Sequence, residues 1–388
     1  MKDTVIIIKA SSWKSAKLSM NHPEYASILK IAQYYGDKYR FVLVGTSGRP
    51  INSFFIKNNI LAWDVQASGR LGRLTYYLGL LRLLFQYRPR LVIVLGLHNI
   101  LPVSAYSLLS WRTRYVPVFI GEFGYYGNSL LGKLMFDKGL LLLKNSLELS
   151  HRRTLLMFAL SSYILKRIEK LVPELTGNVA LISYPIHPTF CETHDKVQPK
   201  SPSTPVLLTV AGIEPRKGLD TLVAAASSIQ GNFKILIKGS VRDAGYFHKL
   251  KDMISRLGLE NKVVFDSDLI DYDALASYYK SATLFVFPTR EDCLGVAVLE
   301  ALHCGLPVIA TAVGGVTDMI VDGRNGLLVQ PDNPEQLSNA ISSLLKNEDL
   351  RKRLASNGRK VLDDIYYKDR LTLDSALSKS IAKVQEGN

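Results

Sequence analysis

Asp292 and Glu300 stand eight residues apart in the stretch Phe287 to Thr311. The stretch runs from a strand through an acidic polar loop into a helix starting near Leu294, and it ends, after Gly305-Leu-Pro307, in another strand. The spacing places one carboxylate in the loop ahead of the helix and the other about two turns along it. Both can accept hydrogen bonds from the hydroxyls of a polyol. A helix that begins directly after a strand also presents unpaired backbone N–H groups and the positive end of its dipole, so Leu294, Gly295 and Val296 would hold a phosphate. Taken alone, the two acids read more simply as solvated carboxylates beside a helix start. What surrounds them changes that reading.

Between Val210 and Ala225 the chain leaves a strand through the Ala211-Gly212 turn, presents Arg216 and Lys217 side by side, and enters a helix at about Gly218. A planar guanidinium and a compact ammonium beside a helix start suit a diphosphate, the first by bidentate bonding and the second as a point charge. Farther on, Gly314 and Gly315 let the backbone approach a ligand closely before the next helix. Cys293 lies near a helix start, where a thiolate is favoured, but no neighbouring base marks it as a nucleophile.

These loops need elements to hold them. Short apolar runs alternate with longer helical patterns along the whole chain, the signature of parallel α/β units. The strand candidates are Val5 to Ile8, Phe41 to Val44, Leu91 to Leu95, Val116 to Ile120 and Val179 to Ser183, then Val206 to Val210, Lys234 to Lys238, Lys262 to Phe265, Leu284 to Phe287 and Pro307 to Ala310. Val197 to Pro205 carries three prolines and reads as a linker. The expected architecture is α/β, with two doubly wound Rossmann-like domains facing a central cleft: residues 1–195, residues 196–365, and a C-terminal helix over 366–388 that packs back on the first domain. Open α/β sheets bind ligands at the carboxyl ends of their strands, so the site is expected between the domains.

The 388 residues are 47% hydrophobic and 21% charged, which excludes a disordered or collagen-like chain. Three cysteines without metal-ligand spacing make neither a disulfide framework nor a zinc site. The net charge of +14 is uneven: residues 1–195 hold 24 Lys+Arg against 11 Asp+Glu, and residues 196–388 hold 24 against 23. A field concentrated in one half attracts polyanions or anionic lipid. That half contains apolar segments punctuated by cations, Leu74 to Phe85, Gly139 to Lys144 and Leu155 to Leu165, which read either as buried domain helices or as helices lying on a membrane surface. No stretch is apolar for the length that spans a bilayer, and the first residues read as a strand instead of a signal peptide. The expected location is the cytoplasm, peripheral to the cytoplasmic membrane.

The chain resembles family 4 of the retaining GT-B glycosyltransferases. The family pattern of an acid, seven residues and a glutamate is met by Asp292 and Glu300, and it is followed by Ala-Leu-His-Cys-Gly-Leu-Pro-Val-Ile309, the Gly-Gly-Val-Thr-Asp318 segment and the Asp322-Gly-Arg-Asn-Gly-Leu-Leu-Val329 turn; Glu214-Pro-Arg-Lys-Gly218 matches as well. The likeness is strong over 206–345 and general over 1–195. It implies a nucleotide-sugar donor, UDP- or GDP-linked, held by the second domain beside Gly212, with Arg216 and Lys217 on the diphosphate. Asp292 would hold a sugar hydroxyl, Glu300 the ribose hydroxyls, and Leu294 to Val296 the distal phosphate. Transfer would proceed with retention, without a metal ion or other cofactor.

Asp292 replaces the family's usual glutamate and is one methylene shorter, so Glu291 is an alternative sugar ligand. Ile213 stands where many members have arginine, a place Arg216 can take. Asp266-Ser-Asp268 could be a metal pair, but it matches the family's base-contacting loop, which makes Asp268 a donor-side candidate. Glu122 is the acceptor-side candidate, and His98 reads as a structural residue. The expected partners are a nucleotide sugar, a lipid-linked oligosaccharide or glycolipid acceptor, and an anionic membrane met by the first domain. A second reading is a non-catalytic nucleotide-sugar-binding partner of another transferase. A nucleic-acid-binding role is disfavoured, since no nucleic-acid module or basic, aromatic-interleaved run is present.

Overall fold

A computed structural model describes residues 2–9, 23–47, 52–57, 60–66, 72–95, 100–110, 112–119, 144–145, 155–191, 204–268 and 270–386. The chain divides into two units, Met1–Pro185 with Arg370–Asn388, and Ile186–Asp369. Each is built on one sheet.

In the first unit the strands are β1 (Asp3–Lys9), β2 (Tyr39–Ser47), β3 (Asn52–Lys57), β4 (Ile60–Gln66), β5 (Leu91–Leu95), β6 (Arg114–Phe119), β7 (Met157–Ala159) and β8 (Val179–Leu181), in the order β3-β4-β2-β1-β5-β6-β7-β8. All pair in parallel except β3 with β4. Leu91-Val-Ile-Val-Leu95 is buried at every residue, as a central parallel strand covered on both faces must be. The helices are α1 (Pro23–Tyr34), α2 (Gly72–Tyr87), α3 (Ile100–Leu109) and α4 (Ser162–Leu171).

Three strands of this sheet escape the sequence pattern. β4 mixes Trp63 and Asp64 into its apolar run, and β3 is its short antiparallel edge partner. β7 is a three-residue strand inside Leu155 to Leu165, a segment whose pattern reads as a helix, either buried in the domain or lying on a membrane surface. Met157, Phe158 and Ala159 are instead buried between β6 and β8. The α4 helix starts after them, with Ser161 capping the N–H of Ile164.

The second unit runs β9 (Val206–Val210), α6 (Leu219–Ala226) after the short turn α5 (Pro188–Cys191), β10 (Lys234–Lys238), α7 (Ala244–Arg256), β11 (Val263–Asp266), α8 (Tyr272–Ser281), β12 (Leu284–Phe287), α9 (Val296–His303), β13 (Val308–Thr311), β14 (Leu327–Val329), α10 (Pro334–Lys346) and α11 (Glu348–Leu362). Its sheet is wholly parallel in the order β11-β10-β9-β12-β13-β14. Strand order reverses at β9, which has β10 on one side and β12 on the other. Leu207, Ile235, Leu284 and Ile309 of the sheet share a core with Leu222 and Ile341 of the flanking helices.

A final helix, α12 (Leu373–Glu386), comes after a π-helical turn, Asp363–Tyr367, that continues α11, and it belongs to the first unit. Leu371 exchanges backbone hydrogen bonds with Leu181 and Ser183 beside β8, and Lys30 of α1 pairs with Asp374 at 3.3 Å. The proline-rich segment 197–205 falls largely outside the described residues.

Candidate functional site

In a doubly wound sheet the loops on either side of the order reversal separate at the carboxyl ends of their strands and leave a crevice. The loops in question follow β9 and β12. Every donor-side candidate except Asp268 lies on one of them or on the helix they feed.

The loop after β9 folds as a single 3-10 turn, Pro215–Lys217, closed by Gly218 in the left-handed region at φ 62°. A Cβ at Gly218 would lie 2.0 Å from the Pro288 carbonyl oxygen. Glycine is therefore required both for the backbone angle and for the close approach of the two loops. They are further tied by the Arg216 carbonyl, which accepts from the Arg290 N–H at 2.8 Å and the Thr289 hydroxyl at 3.0 Å. Arg290 in turn forks onto Asp220 at 2.8 and 2.9 Å and reaches Asp332 at 2.7 Å. Burial works against the Asp220 charge, but the Arg290 and Tyr246 hydrogen bonds hold its carboxyl below the usual range.

This clamp presents Arg216 and Lys217, both buried. Arg216 is paired with Glu214 at 2.9 Å. Lys217 Nζ lies 2.6 Å from Asp292 Oδ2 and 5.5 Å from the centre of the Phe287 ring. The other oxygen of Asp292 accepts the N–H groups of Leu294 at 3.1 Å and Gly295 at 2.7 Å. Burial alone would raise its pKa, but the Lys217 ammonium and the two N–H groups prevail and hold the carboxyl below the ordinary carboxylate value. Gly314 packs on the backbone of this loop: a Cβ there would sit 1.7 Å from the Asp292 carbonyl oxygen.

Helix α9 begins at Val296, two residues later than the pattern at Leu294 predicts, because Gly295 caps it at φ 82°. Glu300 faces inward from this helix, and its Oε2 accepts from the Tyr279 hydroxyl of α8 at 2.7 Å. Burial pushes the Glu300 carboxyl up to about 7, with the Tyr279 bond pulling back. Asp292 and Glu300 thus have separate partners and opposite shifts. Beyond Glu300 the helix ends at His303, whose Nδ1 lies 3.0 Å from Arg359 Nη1 and 3.3 Å from Cys191 Sγ, and whose Nε2 lies 2.7 Å from the Tyr367 hydroxyl. Arginine can only donate, so Nδ1 is the acceptor and Nε2 carries the proton.

Gly212 admits a residue that sequence reasoning missed. A Cβ there would come 2.8 Å from Arg242 Nε, so the absent side chain is what lets the guanidinium lie over the turn after β9. The backbone holds it there, since the N–H groups of Arg242 and Asp243 both bond to the Ile213 carbonyl at 3.1 Å. Ile213 itself is fully buried core. The signal was present in the sequence: Arg242 follows the carboxyl end of the Lys234–Lys238 strand.

Asp268 is tied to neither loop. Its N–H bonds to Asp266 Oδ1 at 3.2 Å, and its carbonyl accepts from Lys238 Nζ at 2.7 Å. Asp266 is itself taken up by Lys238 at 2.6 Å and by the Tyr278 hydroxyl, so the pair is committed to a lysine. Among the described residues no cluster of His, Cys, Asp and Glu has the makings of a metal site. Glu291 places its carbonyl on the Thr289 hydroxyl at 2.9 Å. Cys293 is buried. Glu122 and His98 lie outside the described residues.

Residues 191–361 match the sequence model of the family described as glycosyl transferases group 1. An uncharacterised glycosyltransferase of Methanocaldococcus jannaschii is 35% identical over 152 residues, 39% of this chain and 41% of that protein. A D-inositol 3-phosphate glycosyltransferase of Acidothermus cellulolyticus is 32% identical over 149 residues, 36% of this chain and 33% of that protein. The chain therefore spans less than half the length of these relatives. In fold it is similar end to end to the sucrose-phosphate synthase of Thermosynechococcus elongatus, with TM-score 0.76, 18% identity and 100% of each chain covered. It is also similar to Anabaena HepE in complex with UDP-glucose, with TM-score 0.69, 17% identity, and 99% and 100% covered. Two largely parallel sheets flanked by helices, similar end to end to these solved structures, are the GT-B fold, and within it residues 191–361 are the part of the chain that is similar in sequence to the glycosyl transferases group 1 family.

Proposed function

We propose that the chain is a metal-independent, retaining hexosyltransferase. It would move a sugar from a UDP- or GDP-linked donor to a lipid-linked oligosaccharide or glycolipid at a membrane surface. The observation that carries the donor half of this reading is the convergence of Lys217 Nζ and the N–H groups of Leu294 and Gly295 on one anion, the Asp292 carboxylate. A donor phosphate offers the same charge and the same acceptor atoms. Arg216 and Arg242 stand on adjoining loops to offset the charge of the departing diphosphate, and preorganised charge of this kind is usually the largest catalytic contribution. Asp292, released from Lys217, accepts from a sugar hydroxyl, with Glu291 as the alternative, and Glu300 accepts from the ribose.

In the step itself the acceptor oxygen bonds to the anomeric carbon on the face from which the diphosphate leaves. The acceptor proton passes to the leaving phosphate oxygen, and no protein nucleophile is needed. Positioning then carries much of the rate. A similar fold crystallised with UDP-glucose, and relatives named as glycosyltransferases, support the nucleotide-sugar donor.

The first unit is the proposed acceptor side, with Glu122 as its candidate ligand. Leu74, Leu78 and Phe85 of α2 are each more than half exposed, and their spacing puts them on one face of the helix beside exposed Arg82. Leu108 and Leu109 of α3 are exposed as well, and Phe85 meets Tyr106 of that helix edge to face. An apolar face bordered by cations fits the headgroup region of an anionic bilayer. No helix among the described residues is long and apolar enough to cross a membrane.

Donor hydrolysis tests the chemistry. Incubation with a panel of UDP- and GDP-sugars is expected to release nucleotide slowly from one donor, and Lys217→Ala or Asp292→Ala to abolish that release. Release at equal rates in all three proteins refutes the assignment. Flotation with phosphatidylglycerol-containing and neutral vesicles tests the surface, and Leu78→Glu with Phe85→Glu is expected to lose the salt-sensitive anionic binding.

A further inference from the structure

Glu300 is a carboxylate inside a protein, and burying one is costly unless hydrogen bonds replace its water. Among the described residues one side chain supplies such a bond, the Tyr279 hydroxyl at 2.7 Å on Oε2. Tyr279 is itself pinned. It is 1% exposed, its ring stands edge-on to Phe190 at 5.7 Å and tilted against Phe285 at 5.5 Å, and its hydroxyl also reaches the Ala297 carbonyl at 3.4 Å, one turn before Glu300. The phenol therefore cannot follow the carboxylate if it turns. Oε1 has no hydrogen-bond partner among the described residues, and Glu300 keeps 7% of its surface open.

We propose that Tyr279 is a positioning residue for the nucleotide: by holding Oε2 it aims Oε1 at the vicinal hydroxyls of a ribose, and so makes the site select ribonucleotides over deoxyribonucleotides. This rests on the reading of Glu300 as the ribose ligand, and it adds the residue that orients it. A buried acceptor left unpaired is costly, so a ligand lacking the hydroxyl is penalised beyond the loss of one bond.

Proton occupancy of Glu300 governs the same contact. Only the ionised carboxyl offers Oε1 as a full acceptor, and burial brings its titration to about 7. Few other groups bear on it. Cys304, at the end of α9, acts on Tyr279. Strands β12 and β13 carry no titratable side chain. Cys191 of α5 and Arg359 of α11 are engaged at His303. The Tyr279 bond favours the charged form, so its loss moves the midpoint upward.

The test is calorimetric titration of the full chain with UDP, GDP and their 2′-deoxy forms between pH 6 and 8.5, on the wild type, Tyr279→Phe and Glu300→Gln. The wild type is expected to bind the ribonucleotide more weakly as pH falls through about 7, and to prefer it over the deoxy form. Tyr279→Phe is expected to weaken ribonucleotide binding on the order of tenfold at pH 7, to shift the midpoint to higher pH, and to erase the ribose preference. Donor KM should rise with kcat nearly unchanged. A Tyr279→Phe protein that folds, and keeps both the midpoint and the ribose preference, overturns the proposal. If Glu300→Gln alone leaves ribonucleotide binding and its pH dependence intact, the assignment of Glu300 to the ribose is what fails. Should Tyr279→Phe not fold, a wild-type ribose preference that stays constant from pH 6 to 8.5 overturns the proposal without it.

Discussion

Lys217 and Asp292 form an ion pair of 2.6 Å across the order reversal of the second sheet, one residue from the loop after β9 and the other from the loop after β12. With the N–H groups of Leu294 and Gly295 on its second oxygen, Asp292 already occupies the donors that a diphosphate would use. An incoming anion has to compete with this carboxylate.

Asp292→Asn keeps an oxygen for the two N–H groups and removes the competing charge. The expected outcome is tighter binding of UDP or GDP, on the order of tenfold, equivalent to about 1.4 kcal/mol, together with slower sugar transfer. Calorimetry beside turnover measurement checks it. Unchanged or weaker diphosphate binding would show that Lys217 is not the phosphate ligand.

Lys217→Ala is expected to lower transfer by about 10² to 10³-fold, the scale of losing one preorganised charge at a departing anion. It also strands a mostly buried carboxylate, a change that costs roughly 3–5 kcal/mol when one partner of such a pair is removed. The pH dependence has a definite sign. Asp292 titrates below its unfolded value, so its stabilisation is present above the ordinary carboxylate range and lost as pH falls through the depressed pKa. Urea denaturation below about pH 4 should therefore show a shallower acid limb in the variant than in the wild type.

Glu300 works in the opposite sense. Its folded pKa of about 7 lies above its unfolded value, so the carboxyl favours the fold most in acid, and that contribution is lost as pH rises through 7. Glu300→Gln retains an acceptor for Tyr279 and carries no charge. It is expected to melt above the wild type at pH 8, by an amount on the order of 3 kcal/mol, and to match it near pH 4.5, while losing nucleotide affinity. Equal melting temperatures at pH 8 would remove the buried charge from the account.

Gly218 and Gly258 have nearly the same backbone angle, φ 62° and 64°, but a Cβ meets the Pro288 carbonyl at 2.0 Å in the first and nothing within 4 Å in the second. Gly258→Ala is expected to cost the left-handed penalty alone, about 1–2 kcal/mol. Gly218→Ala should cost clearly more and weaken diphosphate binding, because it drives the two loops apart. Chemical denaturation of both variants makes the comparison.

The alternation of apolar runs with helical patterns determined the α/β class, because strand and helix periods are local properties of the chain. It found ten strands, including all of those that carry the donor-side loops. It failed at β3, β4, β7 and β14, which are short or polar at one face and become strands through the neighbours they pair with. The same local logic placed Arg216, Lys217, Asp292 and the Leu294–Val296 amides on loops at strand ends. What those residues touch is decided otherwise. Lys217 reaches Asp292, 75 residues away, because β9 and β12 are adjacent in the sheet. Glu300 finds Tyr279 because α8 packs beside α9, and Arg242 reaches the turn after β9 because Gly212 has no side chain. Helix and strand periods repeat within a few residues and are written into the sequence. Partnerships between side chains, and the pKa shifts that follow from them, depend on strand order and burial, which only the folded arrangement sets.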